Sequence, residues 1–361
     1  MNPLALRTQL PLIIVGLLVA AGLVVATAGS ARAAVAPPGM PPKGKVMLGV
    51  AGSEAGPPQF AKLTGAPHEL HLVSINWNES REGGWHYAID SRFRDALRGN
   101  YRLMIHVAPN RDNGVEGRSP GAVARGAADR YLLDLGAVVN ERDEYVYIRP
   151  PAEMNGHWSV WAAYNKNGTR RNADHSTTNY RKAFIRMALI VRGGEVATIN
   201  RALRANGMPA LTTAKAQLPS SGKVALVFNP QGRGAPDVPG NMPAAYYPGR
   251  AYVDYVANDL YEQGGTANWA AHEALYQLYA KAHPFIVAEY APWGYDSASY
   301  VKRMFAWVAS HPRTVGLIYY NGSGSSIFRL AGKPKSLAAY RAAAKATRYR
   351  CAGLSGTSVV C

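Results

Sequence analysis

Two glutamates stand where an acid and a nucleophile for sugar chemistry would stand. Residues 145–161 read YVYIRPPAEMNGHWSVW and residues 283–293 read HPFIVAEYAPW. In each, an aromatic or β-branched run, the composition of a strand, leads to a carboxylate, Glu153 or Glu289, with proline and tryptophan close by. A glycosidic bond has a poor leaving group and needs an acid to protonate it. Sugar rings present apolar faces against which an indole can lie. A lone glutamate in a loop is usually just solvated; a second element of the same design turns the pair into a candidate acid and nucleophile.

The elements that must position them are short apolar runs separated by helix-length stretches. The runs cover 46–50, 72–77, 102–109, 145–148, 224–228, 252–257, 284–288 and 314–320. Helical periodicity falls between them, over 90–98, 126–140, 180–192, 268–281 and 299–310. Eight strands alternating with helices predict an α/β fold, a closed (β/α)8 barrel. An open doubly wound sheet is the alternative, but residues 50–56, VAGSEAG, lack the G-x-G-x-x-G spacing of its phosphate turn. Residues 197–223 are too long for a simple loop and are expected to form an inserted surface excursion.

Active sites of such barrels sit at the C-terminal ends of the strands. Six of the seven tryptophans follow strands: Trp77, Trp85, Trp158, Trp161, Trp269 and Trp293. We therefore expect an aromatic cleft there, with Trp269 and Trp85 serving mainly to cover the barrel top. Trp307 reads as helix packing. Glu153 ends strand four and Glu289 ends strand seven. A separation of about 5–5.5 Å would make them a retaining pair, one forming the covalent intermediate and the other serving as acid and base. Tyr261, at the end of strand six, is placed to donate to Glu289, and Asp259 to bind substrate hydroxyls or orient a neighbour; a packing tyrosine and a turn aspartate are the plain alternatives. His106 at the end of strand three can bind a sugar hydroxyl, Asn155 and Arg149 are expected to position Glu153 or the substrate, and His157 adjoins the cleft. His68-Glu69-Leu70-His71 lacks the H-E-x-x-H spacing of a zinc site, and no cofactor is called for.

The chain has 361 residues, 48% of them hydrophobic and 17% charged, enough apolar material for a large core. Arg7, an uncharged run over 8–30 and Ala31-Arg32-Ala33 form a secretory signal over 1–33, or an uncleaved membrane anchor. Export argues against nucleic acid as a partner despite the net charge of +17. No acidic residue follows Asp296, whereas ten Lys and Arg do. That basic end is a solvated surface or is attracted to anionic polymers of a cell envelope. We read 34–45 as a proline-rich linker, 46–345 as the catalytic barrel, and 346–361 as a basic tail in which Cys351 and Cys361 can pair. The chain is expected to act as a monomer.

The segment RPPAEMNGHWSVW resembles the strand-four signature of glycoside hydrolase family 26, the β-mannanase family of clan A. Residues 246–261 (YYPGRAYVDYVANDLY) and 284–294 (PFIVAEYAPWG) match in the right order. The resemblance runs from Val46 to about Gly324. It implies that Glu153 is the acid/base, Glu289 the nucleophile, Tyr261 the support of that nucleophile and Trp158 an aromatic wall at the cleavage point. Three positions depart: Ala152 replaces the family's histidine before the acid/base, Phe228-Asn229-Pro230 replaces a tryptophan-led end of strand five, and Arg250 replaces a common acidic residue. These departures imply an altered β-linked polysaccharide substrate, with mannan the default. A non-catalytic carbohydrate- or wall-binding barrel is the alternative.

Overall fold

The eight runs form eight parallel strands because their side chains are apolar on both faces, the composition of a sheet covered inside and out. The computed structural model describes residues 36–350 apart from 53–55, 81–83, 143 and 323, together with 354–355 and 358–359. The secretory segment expected over 1–33 and the expected Cys351–Cys361 pairing lie outside the described residues. The strands are β1 (Met47–Ala51), β2 (Leu70–Asn76), β3 (Arg102–Ala108), β4 (Val146–Arg149), β5 (Val224–Phe228), β6 (Tyr255–Glu262), β7 (Phe285–Pro292) and β8 (Thr314–Tyr320). Each pairs with the next, and β8 returns to β1 to close the barrel. The (β/α)8 fold expected from the sequence is therefore the fold observed.

Around the barrel lie α1 (Pro57–Thr64), α2 (Gly84–Gly99), α3 (Asp129–Asn140), α4 (Thr177–Arg192), α5 (Val196–Ala205), α6 (Trp269–Tyr279), α7 (Ala298–Ser310) and α8 (Pro334–Ala343). The surface excursion expected over residues 197–223 contains regular structure. It holds α5, which buries Val196, Ile199 and Leu203, and returns as a two-stranded ribbon pairing Gly194–Glu195 with Gln217–Leu218.

The barrel interior is filled by small and large side chains in alternation, among them Met47, Leu72, Met104, Ala225, Ala257, Ile286, Ala288 and Ile318. Its N-terminal end is closed by Tyr147 and Tyr255, whose rings meet edge to face at 5.4 Å. The proline-rich stretch read as a linker is a stopper at this end. The Pro38 carbonyl accepts from the Tyr255 hydroxyl at 2.8 Å, and the Gly39 carbonyl from the Tyr147 hydroxyl and the Arg102 guanidinium. Gly39 sits at φ +76°, and a Cβ there would come within 2.6 Å of the Tyr147 oxygen. The start of the basic tail is also part of the body: Tyr349 is buried edge-on to Phe305, and Val46 N–H donates to the Arg348 carbonyl.

One irregularity shapes the mouth of the barrel. β6 begins at Tyr255 rather than Tyr252, and the register between β6 and β7 slips so that Asn258 pairs with Val287 but Asp259 pairs with Glu289. Ile286 and Ala288 face the interior, whereas Val287 and Tyr290 pack outside. The extra residue breaks strict alternation and brings Glu289 to the barrel mouth, the re-aiming that bulges commonly perform near active sites.

Candidate active site

Arg149, the last residue of β4, is fully buried and organises the mouth. Its Nη1 donates to Glu289 Oε1 at 2.7 Å, its Nη2 to Asp259 Oδ2, and its Nε to Asn229 Oδ1 at 3.0 Å. A buried guanidinium holds its charge in such a place only with partners of opposite sign. The Tyr261 hydroxyl donates to Glu289 Oε2 at 2.6 Å. Both oxygens of Glu289 thus receive donors, one of them cationic.

Glu153 is held differently. It lies beyond Pro150 and Pro151, in the left-handed region at φ +52°. Such a conformation costs a non-glycine residue about 1–3 kcal/mol and persists only where its surroundings impose it. Here its N–H donates to the Asn229 carbonyl at 2.8 Å, and its carbonyl accepts from Gly156 N–H at 2.8 Å. The indole of Trp158 donates to Oε2 at 2.6 Å, and the Gln231 amide donates to Oε1. Gly156 is required beneath that indole, since a Cβ there would come within 2.3 Å of the ring. Burial, followed by the charge of Glu289, pushes the Glu153 carboxyl above its ordinary range, against the pull of Trp158 and Arg149.

Asp259 is a third carboxyl in the cluster. Burial, more than Glu289 and Glu153, pushes it well above the ordinary aspartate range, although Arg149 pulls the other way. No N–H or O–H is directed at its Oδ1.

The cleft extends to either side of these groups. One arm, of about 650 Å³, is polar, with His71, Ser74, Arg92, His106 and Ala152 on its walls and Glu153 and Glu289 at its floor. The other, of about 520 Å³, is aromatic, lined by Trp158, Trp293, Tyr320 and Phe328 beside the same two glutamates. Trp293 and Phe328 stand edge to face at 4.9 Å, and Tyr320 meets Phe328 at 5.0 Å. Burial and the nearby Arg149 hold His106 at a pKa of about 3, so it is neutral. Its Nδ1 is buried without a partner.

Several residues named from the sequence lie elsewhere. Trp77 and Trp161 are 0% and 1% exposed; Trp77 packs on Tyr131, and the Trp161 indole donates to the Arg118 carbonyl, so neither offers a ring to the cleft. Only Trp158 and Trp293, 53% and 42% exposed, present indoles to it. Trp85 is buried and Trp269 stacks under Arg303. The Asn155 side chain is buried and bonds the main chain of Gln231, so it does not reach the cleft. The Asp259 side chain is enclosed against Arg149, and the residue borders the aromatic arm beside Tyr261. Arg149 grips Glu289 rather than Glu153. The sequence reading missed Gln231, Tyr320 and Phe328. Tyr320 ends the eighth run and so stands at the mouth by position, whereas nothing local distinguishes Gln231 or Phe328.

The parallel eight-stranded barrel is a fold shared with solved structures of other proteins. No family model matches the chain. Over 309 residues it is 25% identical to Endoglucanase H of Acetivibrio thermocellus; the match covers 82% of this chain and 29% of that protein, so the chain spans less than a third of its relative's length. Among solved structures, it overlays an endo-β-1,4-mannanase of Cellulomonas fimi with a TM-score of 0.59 at 15% identity, covering 88% of this chain and 76% of the other. A family 26 β-mannanase of Bacteroides ovatus gives a TM-score of 0.55 at 14% identity, covering 84% and 90%. A broad-specificity endoglucanase from an uncultured bacterium gives 0.53 at 13%, covering 83% and 93%. At these identities the likeness is one of fold, shared by a family 26 β-mannanase and a broad-specificity endoglucanase alike.

Proposed function

We propose that the protein is an exported glycoside hydrolase that cleaves β-linked polysaccharide with retention of configuration. The observation that carries this reading is the contrast between two carboxylates sharing one cleft. Glu289 receives donors from Arg149 and Tyr261 on its two oxygens, while burial and the neighbouring Glu289 bias Glu153 toward its acid form. This is the division of labour that a double displacement requires. Glu289 attacks the anomeric carbon as Glu153 passes its proton to the departing oxygen, giving a glycosyl-enzyme. Glu153, now a carboxylate, takes a proton from water, whose oxygen displaces Glu289 and leaves a second hydroxyl-ended sugar.

The relatives named as mannanases and endoglucanases support a β-linked hexose backbone, with mannan first. The exposed indoles of Trp158 and Trp293 support stacking of sugar rings along the aromatic arm. The cations after Asp296 support electrostatic attraction to an anionic cell envelope. The test is release of reducing ends from mannan, glucomannan, mixed-linkage glucan and xylan, with Glu289→Ala alongside and the product anomer followed by NMR. We expect turnover lost in the variant and the β-anomer formed first. Binding without turnover by both proteins would leave a sugar-binding barrel instead.

A further inference from the structure

The loops after β4 and β5 are stapled together, and the staple delivers a side chain to Glu153. Asn155 Oδ1 accepts from the Gln231 N–H at 2.8 Å, and Asn155 Nδ2 donates to the Gln231 carbonyl at 2.9 Å. The Asn155 carbonyl in turn accepts from Ala235 N–H at 2.8 Å and from the Asn241 side chain at 2.9 Å. Asn155 and Asn241 are both buried. With its own main chain fixed on both sides of Cα, Gln231 has only side-chain freedom left, and its amide is directed at Glu153 Oε1.

The two oxygens of Glu153 are therefore capped unequally. Oε1 faces an amide whose backbone is pinned, and Oε2 faces the indole of Trp158, a residue 53% exposed in the open cleft. An N–H donor bonds a carbonyl-type oxygen better than the hydroxyl oxygen of a carboxylic acid. We propose that Gln231 is a positioning residue that anchors Glu153 through Oε1, so that Oε2 carries the proton to and from the glycosidic oxygen and Trp158 is the cap that yields to substrate. This rests on the reading of Glu153 as the acid/base. It adds that the end of β5 sets which oxygen acts and how readily the acid ionises.

Gln231→Met removes the donor at similar length and leaves the main-chain staple in place. Losing a donor to the carboxylate disfavours ionisation, so the alkaline limb of the kcat/KM profile moves up by about 0.5–1 pH unit. Loss of orientation lowers kcat on polysaccharide by about 10–100-fold. An activated aryl glycoside, which needs no proton on its leaving group, keeps its rate of glycosyl-enzyme formation. Glu153→Ala, tested with the same two substrates and with azide as an external nucleophile, checks the underlying reading on its own. That reading fails if the variant loses both substrates equally and azide restores nothing. If Glu153→Ala behaves as an acid/base variant but Gln231→Met leaves the alkaline limb in place, or slows both substrates alike, Gln231 is merely structural and the inference is overturned. Gln231→Asn, which keeps the amide but shortens its reach, gives the same decision should the first variant fail to fold.

Discussion

The barrel buries an arginine at each end, and the two ends differ in what answers it. At the closed end Arg102 meets the carbonyl of Gly39 and the hydroxyl of Tyr147, with Glu69 nearby. Burial pushes Glu69 up to about 8, so around neutrality that carboxyl is largely uncharged. At the open end Arg149 meets Glu289, Asp259 and, through space, Glu153, three carboxyls around one cation. The first arrangement satisfies hydrogen bonds and seals an interior. The second sets three carboxyl groups around one positive charge, and burial pushes two of them, Glu153 and Asp259, toward their acid forms. Burial of a charge is common to both; the excess of acid over base marks the site.

The sharpest way to break this comparison is Glu289→Ala. Turnover should fall by about 10⁴-fold or more while the circular dichroism spectrum is kept. Arg149→Met comes next. It leaves the carboxyls of Asp259 and Glu289 without their shared guanidinium, so unfolding in urea should show a loss of about 3–5 kcal/mol together with loss of activity. At the other end the sign runs with pH. The folded pKa of Glu69 lies above its ordinary value of 4.5, so its contribution to stability is complete below 4.5 and is lost as pH rises through about 8. Glu69→Gln should therefore melt like the parent near pH 4.5 and be more stable at pH 9, by a few kcal/mol in order of magnitude, with turnover on polysaccharide unchanged. The smallest effect is expected at the rim. Trp293→Ala should raise KM several-fold, about 1 kcal/mol of lost stacking, without moving the melting temperature.

The strand count and the two glutamates were legible because each depends on local composition: apolar runs of strand length, and a carboxylate at the end of two of them. What the sequence did not reveal depends on partners distant along the chain. Trp77, Trp161 and Asn155 look like cleft residues in one dimension, yet each is enclosed by segments that come from other strands. Gln231 reaches Glu153 across 78 positions of sequence, through a staple that only the folded loops create. Glu289 was placed at the mouth for an incomplete reason. β7 continues past it to Pro292, and the slipped register, invisible in the periodicity, is what brings it inward.

The stopper at the closed end also bears on the order in which the fold can be completed. Pro38 and Gly39 find their partners only once Tyr255 and Tyr147 are in place, 217 and 108 positions further along the chain. The closed end therefore begins with residues made early and is finished by residues made late, so a chain cut short before Tyr255 leaves the Pro38 carbonyl without that hydroxyl.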